Sequence, residues 1–187
     1  TELVGPREQV HRPFGLADRN GCLRLFRRMT DDGMASSTAG FMPDDFYALS
    51  ELIYVARGDE IMNELGLDKI GVIKIDVEGG ELEVVEGFRH TIAQHAPIIF
   101  FEALPGAPTD VLGSPDTTAL QFREHRCSRL EELLRADGYR ILAVRSGGHL
   151  EEVVTIDLRT PVAGATNEYV AVPADLLSRF LDHFATT

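Results

Sequence analysis

Runs of apolar residues with different periods divide the chain. Gly71 to Ile75 is apolar except at Lys74 and β-branched at Val72, Ile73 and Ile75. Such a continuous run predicts a central parallel strand buried on both faces. Asp76 ends it, and Val77, Glu78, Gly79 and Gly80 supply a turn. Leu82, Val85, Phe88 and Ile92 then recur at intervals of three and four, which predicts one helix ended by Ala96-Pro97. Glu78, Glu81 and Glu83 lie near its positive end and His90 and His95 near its negative end, as the helix dipole favours. Ile98 to Phe101 predicts a second buried strand with Glu102 at its tip.

The flanking pattern is less regular. Thr1 to Gln9 is a polar lead, and Val10 to Leu16 reads as a strand that Pro13 confines to an edge or an end. Asp18-Arg19-Asn20-Gly21 has turn chemistry, and Cys22 to Phe26 is the expected second arm of a hairpin. Met29 to Asp45 has no period and reads as a loop, in which Met34, Phe41 and Met42 are either surface anchors or the apolar residues of a lid. Phe46, Leu49, Leu52 and Ile53 have helical spacing, although Tyr54 and Val55 suit the start of a strand. Asp59 is the expected N-cap of a helix over Glu60 to Leu65, which Gly66 ends. A loop is expected over Ala103 to Thr117, then a helix over Ser128 to Ala136 with Leu130, Leu133 and Leu134 inward, stopped by Gly138. Tyr139 to Val144, Val153 to Leu158 and Tyr169 to Val172 read as strands of an antiparallel extension. Pro173 opens a last helix with Leu176, Leu177, Phe180, Leu181 and Phe184 on its apolar face. No internal repeat or domain boundary is evident, so residues 1–187 are expected to form a single domain.

A strand, an acid, a glycine turn and a helix make the unit of an open α/β sheet, whose ligands bind beyond the carboxyl ends of the strands. Asp76, Glu78 and Glu102 are placed at that edge and are the candidate catalytic residues. A carboxylate there can deprotonate or orient an acceptor hydroxyl or amine. Asp76 is equally suited to cap the helix or to pair with Lys74. The acids disfavour a dinucleotide, because Glu78 and Glu81 would repel a pyrophosphate at the helix amino terminus, whereas a cationic ligand tolerates them. No metal site is expected from the six histidines, which lack paired ligand spacing; an oxygen-ligated divalent ion at Asp76, Glu78 and Glu102 is the weaker alternative. No nucleophile-elbow pattern supports a Ser-His-Asp hydrolase.

IKIDVEGGELEVVEGF, a short helix and then PIIFFE resemble the signature of the FkbM-type S-adenosylmethionine-dependent methyltransferases. GLADRNGCLRLF, GDEIMNEL and NEYVAVP agree in order, so the resemblance spans about Val10 to Pro173. It implies a Rossmann-like class I methyltransferase sheet with an antiparallel carboxyl-terminal extension. It also implies S-adenosylmethionine as cofactor and methyl transfer to an oxygen of a small metabolite or sugar. The position of Ala17 and Asp18 would lie beside the adenine, and Asp76 would also face the cofactor. Ser36-Ser37 resembles a serine that such sequences place after the hairpin. The strand, glycine-rich turn and helix with which such domains begin, and the second strand with its ribose-binding acid, are not found, and neither Gly79-Gly80 nor Gly147-Gly148 replaces that turn. The sheet is therefore expected to lack its first two strands and to expose an apolar edge or face, open to a second copy or another partner. A methyltransferase-like interaction module without a cofactor pocket is the alternative.

Composition narrows the partners. A net charge of −12 and a pI near 4.9 disfavour general binding to phosphate backbones. No run approaches the roughly 18 apolar residues of a membrane span, and no secretory pattern opens the sequence. Cys22 and Cys127 fit no metal or redox spacing. A cytoplasmic protein acting on a small molecule is the expectation.

Overall fold

The described residues form two β-sheets, with helices on both faces of the second. The computed structural model describes residues 12–27, 36–37, 49–104, 117–159 and 165–184. The amino-terminal lead, most of the predicted Met29 to Asp45 loop with its apolar anchors, and most of the predicted loop after Ala103 lie outside these residues. The first sheet holds β1 (Gly15–Ala17), β2 (Gly21–Arg27), β3 (Ser36–Ser37) and β4 (Leu49–Arg57) in the order β1-β4-β2-β3. The second holds β5 (Val72–Ile75), β6 (Ile98–Glu102), β7 (Tyr139–Arg145), β8 (Leu150–Glu152) and β9 (Ala165–Pro173) in the order β5-β6-β9-β7-β8. The helices are α1 (Gly58–Glu64), α2 (Glu81–Gly87), α3 (Arg89–His95), α4 (Thr117–Ala136) and α5 (Leu177–Phe184).

The second sheet carries the main core. β5 and β6 are parallel, and β9 runs antiparallel to β6 and β7, as the predicted extension requires; β8, which that extension did not include, is antiparallel to β7. Val85, Ile92, Leu134, Ile99, Phe101 and Ile141 are fully buried where α2, α3 and α4 cover one face. Leu177, Phe180 and Leu181 of α5 pack against Leu142, Val170 and Val172 on the other. The Tyr139 hydroxyl donates to the Pro97 carbonyl at 2.9 Å, tying β7 to the entry of β6. No helix among the described residues is long and apolar enough to cross a membrane.

Several expectations are corrected. Among the described residues β5 is an edge strand, not a central one, and only Ile73 and Ile75 are buried; Val72 is 55% exposed. Its continuous apolar run hides an alternating burial. Cys22 to Phe26 does not pair with the segment before it. β4 lies between the two, parallel to β1 and antiparallel to β2. Leu49 to Ile53 is strand, not helix, and the strand continues through Tyr54 and Val55, which suited one; Leu52 and Tyr54 are exposed and Val55 is buried. Apolar residues on both faces of β4 obscured its period of two. The helix expected from Leu82 to Ile92 is broken at Phe88 (φ −103°, ψ 14°) into α2 and α3, yet Val85, Phe88 and Ile92 still share the core. Val153 to Leu158 forms no strand. The Val153 and Val154 carbonyls accept from Arg135 and the Ile156 amide donates to Glu131, so Ile156 and Leu158 reach the core from irregular backbone. Pro173 closes β9, and the last helix begins at Leu177.

The caps divide similarly. Gly66 (φ +62°) ends α1 and Gly138 (φ +84°) follows α4, both in the left-handed conformation expected of a glycine stop. Asp59 does not cap its own helix, which starts at Gly58. Its carboxylate accepts the His90 and Thr91 amides, at 3.1 and 2.8 Å, and the Thr91 hydroxyl at 2.7 Å. It thus caps the first turn of α3 from outside.

Candidate active site

Asp76, Glu78 and Glu102 converge. Asp76 follows β5, Glu102 ends the neighbouring parallel strand β6, and Glu78 projects from the turn between β5 and α2. One carboxylate oxygen from each lies within 4.8 Å of the others. This is the edge where ligands of open α/β sheets bind. Lys74 and Asp76 are two apart and share a strand face, and the Lys74 ammonium sits 3.4 Å from the Asp76 carboxylate.

The turn is unusual in its backbone. Glu78 has φ +52° and Gly79 φ +102°, so two successive residues are left-handed. For the non-glycine Glu78 that conformation costs about 1–2 kcal/mol. The Gly79 amide donates to Glu81 Oε1 at 2.9 Å, and the Gly79 carbonyl accepts from Arg126 Nη2 at 3.0 Å. Arg126 also forms a fork with the Glu83 carboxylate, with Nη1 to Oε1 at 2.7 Å, and its guanidinium lies 5.4 Å from the centre of the Phe122 ring.

The electrostatics follow from crowding. Burial, then Glu102 and Asp76, hold the Glu78 carboxyl above its ordinary range, while Arg123 opposes the rise. Glu102 is raised by burial, Asp76 and Glu168, and lowered by Lys74 and by a hydrogen bond from Asn167. Burial also raises Glu81, against its bonds to the backbone and the charge of Arg126. Cys127 is buried close by, and burial pushes its thiol up to about 12, so it is no nucleophile at neutral pH.

A cavity of about 40 Å³ adjoins the acids, lined in part by Gly79, Glu102, Leu104, Arg123, Arg126 and Cys127. Three carboxylates match the charge of a sulfonium, but this volume admits a water-sized group and falls far short of the roughly 300 Å³ at which small-molecule pockets begin. The same three oxygens are hard donors of the kind divalent cations take.

Ala17 and Asp18 stand apart from this cluster. Ala17 is buried at the end of β1 with its carbonyl against Gly87, the last residue of α2. The acids are at the other end of that helix, about 9 Å away along its axis. Asp18 Oδ1 is shielded from solvent and has no hydrogen-bond partner among the described residues, with Arg19 Nε 3.9 Å away. The predicted turn at Asp18 to Asn20 is present, and the Asn20 side chain accepts the Arg57 amide at 2.9 Å. Sequence reasoning missed Glu81 as a buried group, reading it only as a first-turn acid, and missed Arg123 and Arg126. Their signal was two cations three residues apart, one turn before the apolar stripe that begins at Leu130.

Fold and site together describe a mixed α/β protein with a carboxylate cluster at adjacent strand ends. The chain belongs to the FkbM methyltransferase family, since residues 13–141, more than half its length, match the Methyltransferase FkbM domain. No curated protein matches it significantly. Among solved structures it is similar to the methyltransferase FkbM from Methylobacillus flagellatus KT, at 21% identity and a TM-score of 0.35. That similarity covers 84% of this chain and 27% of the other, so the chain spans about a quarter of that protein's length.

Proposed function

We propose that this chain carries the acidic edge of a methyl-transfer site, with S-adenosylmethionine as donor and a hydroxyl of a small metabolite or sugar as acceptor. The observation that carries the reading is the convergence of Asp76, Glu78 and Glu102 in a chain of this family. A carboxylate with a raised pKa is the better proton acceptor, because efficiency improves as its pKa approaches the working pH. Glu78 or Glu102 takes the acceptor's hydroxyl proton, and Asp76, anchored at the end of β5, orients the oxygen. The strand run β5-β6-β9-β7, parallel then antiparallel, supports a Rossmann-like sheet. The Asp18 Oδ1 atom, shielded from solvent and without a hydrogen-bond partner among the described residues, supports an adenine contact at Ala17 and Asp18, since a bound donor would satisfy it. Two free cysteines accord with a reducing, cytoplasmic setting.

A thermal-shift titration with S-adenosylmethionine and S-adenosylhomocysteine, with NAD as control, tests cofactor binding. At a hundred times its dissociation constant a ligand stabilises by about 2.7 kcal/mol, a rise of about 5–10 °C for a domain of this size. Both sulfur ligands are expected to give it and NAD none. No shift with either would overturn cofactor binding by this chain.

One observation favours the second reading, an interaction module. The edge of β5, unpaired among the described residues, borders an apolar groove of about 490 Å³ between Val72, Ile98 and Phe100 of the sheet and Leu176 and Phe180, with Arg179 and His183 on its wall. In this reading a second copy of the chain adds its own β5 to that edge. Sedimentation should show a dimer that Val72→Lys weakens at least tenfold, about 1.4 kcal/mol. A well-behaved monomer at high concentration would exclude the pairing.

A further inference from the structure

We propose that Arg126 and Glu81 are positioning residues that hold the Gly79 peptide groups from both sides and so fix where the Glu78 carboxylate stands. The Glu81 carboxylate takes the Gly79 amide and the Arg126 guanidinium takes the Gly79 carbonyl. Both partners are themselves held. Glu81 is 7% exposed, and Arg126 is anchored by its fork to Glu83 on α2 and lies against Phe122 on α4. Between the two anchors the backbone adopts consecutive left-handed residues, a conformation Glu78 would leave if either hold were released. Arg126 therefore links α4 to the acid-bearing turn, and a change in the pose of α4 reaches Glu78 through one guanidinium.

This deepens the proposed site but is tested without methyl transfer, so the two can fail separately. The readout is the titration of Glu78 followed by carboxyl carbon NMR in the full chain. The charged groups bearing on it are Asp76, Glu102 and Arg123, with Lys74 and Glu168 beside Glu102. Removing a cation by itself can only raise a neighbouring carboxyl. Releasing the turn does the opposite, since it exposes Glu78 and draws it away from Asp76 and Glu102. In Arg126→Ala the Glu78 midpoint is expected to fall toward the ordinary carboxylate range, and in Arg126→Lys to fall less, because a lysine ammonium can still donate to the Gly79 carbonyl, though without the fork. Arg135→Ala is the control for stability alone. Arg135 holds the Val153 and Val154 carbonyls and Glu131 further along α4, so its loss destabilises the protein without moving Glu78. An unchanged or raised midpoint in Arg126→Ala, or a fall of equal size in Arg135→Ala, overturns the proposal. If Arg126→Ala does not fold, Arg126→Lys decides: a lowered midpoint supports positioning and an unaltered one refutes it.

Discussion

Gly87→Ala should be among the most damaging single-methyl changes in this protein. Helix propensity alone favours alanine at the end of α2 by about 1 kcal/mol. Packing reverses the sign. A Cβ built on Gly87 would stand 2.1 Å from the Ala17 carbonyl oxygen and 2.9 Å from its carbon, with the Gly58 amide nitrogen at 3.4 Å. These are backbone atoms, and β1 is held to β4 by its ladder. The clash cannot be relieved by a rotamer change, so β1 must move off α2. Overpacking of this kind reaches about 3 kcal/mol, which lowers Tm by about 6–12 °C for a domain of this size. Gly58→Ala makes an instructive comparison: its Cβ would meet the Phe88 ring at 2.3 Å, a buried side chain at the break between α2 and α3, which can shift where a backbone carbonyl cannot. It should cost less. Thermal unfolding of both variants checks the order, and a Gly87→Ala loss below about 2 °C would mean that β1 is loosely docked. The same contact places Ala17 and Asp18, the residues of the proposed adenine contact.

The comparison of sequence and structure turns on which signals are local. The unit from Val72 to Glu102 was legible because each piece is set nearby: a β-branched run, an acid, two glycines, then apolar residues at helical spacing. The catalytic candidates were legible for the same reason, since a parallel β-α-β unit brings the ends of its two strands together. Neighbours in space were not. The chain between Ala17 and Gly21 is so short that a hairpin was the natural reading, and only the long-range partner β4 displaces it. The start of β4 looked helical because Leu49, Leu52 and Ile53 fall at helical spacing, with Leu52 an apolar side chain on the exposed face of the strand. Asp59 looked like a local cap and instead serves α3, thirty-odd residues on. The clamp on Gly79 was hidden for a related reason: Arg126 is more than forty residues away, on a helix whose apolar stripe drew the reading.

Asp76→Asn is expected to lower methyl transfer by about 10²-fold, the order for a misplaced acceptor, and to change the pH dependence of stability in a direction that identifies the cluster. Asp76 is a cause of the raised pKa of both Glu78 and Glu102. A carboxyl whose folded pKa lies above its unfolded value binds its proton more tightly in the folded state. Stability therefore falls as pH rises from the unfolded value, near 4.5, through the folded value, and the loss is complete above it. Two such glutamates make neutral pH the costly side for this site. Replacing Asp76 by its neutral isostere removes one repulsion from each, lowers both folded pKa values and shrinks that loss. The variant also forfeits the pair with Lys74, but both groups are about half exposed, so that pair is worth about 0.2–1 kcal/mol at most. The difference in denaturant midpoint, variant minus parent, should become more positive between about pH 4.5 and 7. Parallel profiles would show that the three carboxylates do not feel one another. A steeper fall in the variant would show that Asp76 is held mainly by Lys74 and contributes to stability as an ordinary ion pair. Carboxyl titrations of Glu78 and Glu102 distinguish these outcomes, since only coupling moves both midpoints down when Asp76 is neutralised. If they move and transfer is lost together, the strained turn and crowded acids are a site held against its own repulsion, as expected where chemistry and not stability sets the arrangement.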